Sequence, residues 1–153
     1  MSLYRSVMIA AGLLAGVTAL AQEAPAESQV LHRQRVAIER LPPKARTADQ
    51  QAQLARLYHR AGRLSEAKQE VDRALQRRAD NADMLLLLGD LQGQRNQWRQ
   101  ALATFDRLAQ LRPRQAGVQL RRGQALMALG RTAEADAAFA RYRALQATGG
   151  RAP

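Results

Sequence analysis

From Ala48 onward the chain repeats itself every 34 residues, and no other feature limits its fold so severely. Counted from Ala48, the eighth positions of successive units are Ala55, Gly89 and Gly123. The fifteenth are Gly62, Asn96 and Gly130, residues that tolerate the left-handed backbone with which a helix often ends. The twentieth are Ala67, Ala101 and Ala135, and the twenty-fourth are Val71, Phe105 and Phe139. Small, turn-forming and bulky columns recur in register over residues 48–149, which chance does not produce.

These columns predict three helical hairpins: 48–61 with 64–78, 82–95 with 98–112, and 116–129 with 132–147. Two helices cannot close a core, so each hairpin is expected to lay its remaining apolar surface on the next. Close approach of two helix axes requires a missing side chain at the crossing. Ala55, Gly89 and Gly123 on the first helices and Ala67, Ala101 and Ala135 on the second supply it, and Val71, Phe105 and Phe139 fill the space left. Gly inside a helix costs about 1 kcal/mol against Ala, so Gly89 and Gly123 should recover that cost through packing, in seams between stacked hairpins.

With these residues in place, the chain resembles the tetratricopeptide-repeat family. Leu54, Ala55, Tyr58, Gly62, Ala67, Val71 and Ala74 fit the family pattern in the first unit, 48–81. Leu85, Leu88, Gly89, Ala101, Phe105 and Pro113 fit it in the second, 82–115. Gly123, Leu126, Gly130, Ala135 and Phe139 fit it in the third, 116–149. The resemblance implies an all-α, right-handed superhelix of three helix-turn-helix repeats whose first helices line a groove for proteins or peptides. Arg122, Tyr142 and Arg143 depart from the pattern, and polar residues there suit a last repeat with nothing stacked upon it.

If that geometry holds, the groove is lined by Arg56, His59 and Arg60 in the first unit, Leu86, Asp90 and Gln94 in the second, and Arg121 and Gln124 in the third. Leu87, Gly93, Leu120 and Met127 share the face, giving an apolar strip between positive corners. Such a surface suits a peptide with apolar anchors and some acid.

The first 21 residues, MSLYRSVMIAAGLLAGVTALA, read as a cleavable signal peptide: Arg5, an apolar run from Val7 to Leu20, and small residues at Ala19 and Ala21. The run is shorter than the roughly 20 residues needed to span a bilayer, so no stable membrane anchor is expected after cleavage. The periplasm is the expected location, with secretion to the medium second. Residues 22–47 form a linker that begins with QEAPAE, includes a predicted helix at 28–41 stopped by Pro42-Pro43, and leads to Thr47 or Asp49 as a helix cap. Residues 150–153 are a tail.

Chemistry has little to work with. There is no Cys, which excludes disulfides and thiol catalysis. His32 and His59 lie in separate segments, no HExxH or glycine-rich phosphate loop occurs, and Ser65 is expected to cap a second helix. No catalytic residue, cofactor or metal is expected, since a metal needs three or four convergent ligands. Trp98 opens a second helix and is read as hairpin packing.

The functional expectation is therefore a non-catalytic periplasmic adaptor, binding a protein or peptide partner in secretion, pilus, outer-membrane or polysaccharide machinery. The net charge of +11, almost all from Arg, supports an alternative: a binder of acidic polysaccharide or lipopolysaccharide. Nucleic acid is not an expected partner, because aromatic residues are only 4% of the chain. Leu126, Leu129 and Tyr142 are expected to stay partly exposed at the end of the last repeat, which leaves room for a homodimer there.

Overall fold

The computed structural model describes residues 29–149, and all regular structure among them is helical. The expected signal peptide, the start of the linker and the tail lie outside the described residues. The chain divides at Arg46 and Thr47 into two compact units.

In the first unit residues 29–39 form α1, which stops short of Leu41. The reason lies at Arg46, which is 6% exposed. Its Nε donates to the carbonyls of Ile38 at 3.2 Å and Leu41 at 3.0 Å, and Nη2 donates to that of Glu39 at 3.1 Å. The last carbonyls of a helix have no partner within it, and a cation there also opposes the dipole. Arg46 answers both needs, and no local pattern in the sequence announces it.

The second unit holds α2 (Ala48–Arg60), α3 (Leu64–Arg77), α4 (Ala82–Gln94), α5 (Trp98–Leu111), α6 (Ala116–Ala128) and α7 (Thr132–Gly149). Each of the six falls where the 34-residue period places it. Thr47 starts α2 through a capping box: its hydroxyl accepts from the Gln50 N–H while the Gln50 side chain accepts from the Thr47 N–H. Asn81 starts α4, its Oδ1 accepting from the Met84 N–H at 3.2 Å.

One turn is built three times. Gly62, Asn96 and Gly130 have φ of 71°, 58° and 73°. The following N–H groups of Arg63, Gln97 and Arg131 donate to Tyr58, Gln92 and Leu126, each at 2.9 Å. That is the Schellman closure, which satisfies helix-end carbonyls and turns the chain sharply into the next helix. Because this turn delivers α3 directly, Ser65 does not cap it. The cap position is Arg63, and Ser65 instead accepts a hydrogen bond from Arg95 Nη2 at 3.1 Å.

Packing follows chain order: α2 on α3, α3 on α4, and so on to α6 on α7. Leu54, Ala55, Ala67, Val71 and Ala74 are fully buried in the first hairpin. Leu85 of α4, Leu108 of α5 and Val118 of α6 form one inter-hairpin cluster. Ala101, Leu102 and Phe105 of α5 join Ala125 and Leu126 of α6 and Ala135 and Ala138 of α7 in another. Ala101, Ala125, Ala135 and Ala138 thus lie in a cluster that spans the second and third hairpins. The glycines instead face their own hairpins: a Cβ on Gly89 would lie 2.3 Å from Phe105, and one on Gly123 would lie 2.4 Å from Phe139. Each glycine opens space for the ring of its own hairpin. Burying a phenylalanine gains about 1.5–3 kcal/mol, which exceeds the roughly 1 kcal/mol that a helical glycine costs.

The end of the stack also differs from expectation. Leu126 is buried, while Leu129 and Tyr142 are half-buried. Arg122 does not face an absent fourth repeat; it turns back to α5, where Nε donates to Asp106 at 2.6 Å.

Candidate functional site

The site is assembled from three consecutive first helices, α2, α4 and α6, through polar side chains that reach from one to the next. Arg56 of α2 lies 3.4 Å from Asp83 of α4. His59 of α2 has its Nε2 3.3 Å from the Gln94 amide nitrogen of α4. Arg121 of α6 takes both oxygens of Asp90 on α4, Nε to Oδ1 at 2.8 Å and Nη2 to Oδ2 at 3.3 Å. Two parallel bonds fix geometry as well as charge. Burial pushes the Asp90 carboxyl above its usual range, and Arg121 and then His59 pull it back.

His59, Asp90, Gln94, Arg121 and Gln124 line one cleft of about 380 Å³. Gly89, Gly93, Trp98 and Phe105 complete it. The absence of side chains on α4 makes this wall aromatic. Phe105 occupies the space over Gly89, and Trp98 lies where a Cβ on Gly93 would be 3.0 Å from its Cζ3. Trp98 therefore packs the hairpin, as its position implied, and also faces the cleft. The repeat pattern alone marks Phe105 only as filler. The spacing of Gly89 and Gly93, one turn apart on the face toward α5, is the signal that could have placed both rings here.

The other expected groove residues lie elsewhere. Arg56 lines a separate cleft of about 470 Å³ together with Asp49, Arg78, Asp80, Asp83 and Arg112. Arg60 is exposed and lines neither. Leu86 is half-buried and packs against both inter-hairpin clusters. Met127 is 49% exposed, while Leu120 is half-buried.

Among the described residues no group of three or more His, Asp or Glu side chains is placed to hold a metal ion. No described helix is long and apolar enough to cross a membrane. The polar groups of the cleft are matched in sign, with donors and acceptors on both sides of an aromatic wall. That arrangement can hold a polypeptide: amides for its backbone and the half-buried Trp98 ring for an apolar side chain, with Phe105 buried behind it.

The tetratricopeptide repeat family model matches residues 51–81, from early α2 to the loop before α4. No curated protein matches the chain. Among solved structures, MamA AMB-1 is similar with a TM-score of 0.69 and 23% identity, over 78% of this chain and 71% of that one. MamA MSR-1 gives 0.68 and 23%, over 78% and 70%. The Yersinia enterocolitica type III secretion translocator chaperone SycD gives 0.62 and 19%, over 66% and 76%. At these identities the likeness is one of fold. The second and third hairpins repeat the turn and the small columns of the matched first one, and the chain has the tetratricopeptide-repeat fold.

Proposed function

We propose that the chain is a non-catalytic scaffold of the cell envelope, exported to the periplasm, which holds a protein or peptide partner in the cleft of α2, α4 and α6. One observation carries the reading: five polar side chains from three hairpins converge on an aromatic wall. Asp90 and Arg121 neutralise each other, so the cleft selects by shape and hydrogen bonding rather than by net charge. Gln94 and Gln124 are both exposed and offer donors and acceptors to an extended backbone. SycD, of the same fold, is a chaperone of a secretion translocator by its name, which is a role of holding. The export reading rests on the sequence of residues 1–21.

The test is affinity purification from periplasmic extract with wild type and Gln124→Trp, which plugs the cleft from an exposed position. A partner enriched by wild type and lost with Gln124→Trp is the expected result. Equal recovery by both proteins contradicts the assignment, and retention of the full-length chain in the cytoplasm contradicts the location.

A further inference from the structure

The seventh repeat position is leucine in the first two units, Leu54 and Leu88, and arginine in the third, Arg122. Arg122 is half-buried, with Nε donating to Asp106 at 2.6 Å and Nη1 to Gln119 Oε1 at 3.0 Å. Gln119 is itself 3% exposed. Desolvating such a group costs more than burying the leucine of the other units, so folding alone does not favour it.

Arg122 lines a cleft of about 350 Å³ among α5, α6 and α7, shared with Gln110, Pro113 and Arg141. Arg141 stands at the same repeat position as Arg73 and Arg107. Those two are engaged: Arg73 lies 2.5 Å from Glu70, and Arg107 donates to the Ala79 carbonyl at 2.6 Å. Arg141 is exposed and makes no hydrogen bond or ion pair among the described residues. The cleft therefore holds two guanidinium groups against the single carboxylate of Asp106. The cleft of the first helices has its charges matched; this one has a surplus.

We infer that this cleft is a second docking surface and takes a carboxylate side chain from an acidic protein segment. The planar fork of Arg141 is open to two parallel bonds from a carboxylate. Gln110 beside it can bond the flanking backbone. The recess between three helices admits a side chain, whereas a flat lipid surface cannot enter it.

Fluorescence anisotropy with a labelled hexaglutamate peptide, at about physiological ionic strength, tests this on the full chain. Wild type binds, and Arg141→Glu weakens binding by about tenfold with an unchanged thermal midpoint. Arg122→Leu restores the residue of the first two units and also weakens binding; because it removes the donor to the buried Gln119, its thermal midpoint falls. Arg99→Glu makes the same charge change on the first turn of α5, outside the cleft, and alters affinity by less than about twofold. Absence of peptide binding, or an equal loss with Arg99→Glu, overturns the inference. So does tighter binding to alginate or to phosphatidylglycerol vesicles than to the peptide.

Discussion

Phe105 lays its ring across Gly89 so closely that a Cβ on residue 89 would lie 2.3 Å from Cε1 and 2.6 Å from Cζ, and Phe139 repeats the contact over Gly123. The ring is 3% exposed and has no free end to swing away. Gly89→Ala should lower stability by about 1–3 kcal/mol, although alanine gains about 1 kcal/mol in helix propensity. Gly117→Ala, with nothing within 4 Å of the added carbon, should instead raise it by about 0.5 kcal/mol. Urea unfolding followed by circular dichroism separates the two. A stabilising Gly89→Ala would refute the packing described.

Gln51 is 2% exposed and its Oε1 has no hydrogen-bond partner among the described residues. The same position in the second repeat is Leu85, also buried. Removing an unsatisfied buried acceptor is worth about 1–3 kcal/mol, so Gln51→Leu should raise the denaturation midpoint without changing the slope. A fall in stability would mean that this amide is bonded in solution.

The repeated turn demands a positive φ at Gly62, Asn96 and Gly130. Gly62→Ala should cost about 1 kcal/mol through left-handed strain. Asn96→Gly should be nearly neutral, because asparagine already tolerates that region but with less ease than glycine. Thermal melts of the two variants are the measurement, and equal destabilisation by both would contradict the Schellman geometry.

Asp90 gives a pH dependence of definite sign. Its carboxyl is raised by burial, so the folded chain holds that proton more readily than the unfolded one. The stability it contributes is complete below the ordinary aspartate value and is lost as pH rises through the raised one. Glu66, lowered by a backbone N–H and then Arg63, and Glu134, lowered by Arg131, act oppositely: their contributions are present above the ordinary glutamate value and are lost as pH falls. Subtracting the pH profile of Asp90→Asn from that of wild type isolates the first effect. The difference should shrink as pH rises above the ordinary aspartate range, and growth with pH would contradict the burial of this group.

The helices and their turns were legible because both are local. A period of 34 residues fixes where Gly62, Asn96 and Gly130 must reverse the chain, and the helices on either side follow. The side of a helix to which a residue turns depends on the register between helices, which periodicity does not encode. Hence Arg122, expected at an open end, meets Asp106, and Leu126, expected partly exposed, is buried. Long polar side chains were the hardest of all. Arg95 reaching Ser65 and Arg46 reaching the end of α1 are tertiary bonds without a sequence signature.

The most direct measurement is site-specific photocrosslinking in the native periplasm, with a benzophenone side chain replacing Gln124 in the cleft or Ala103 on the exposed side of α5. A discrete adduct from position 124 that position 103 does not give, and that disappears when Arg121→Glu is added, is the expected result. Identical adducts from the two positions, or none from 124, would contradict a scaffold that holds its partner between α2, α4 and α6.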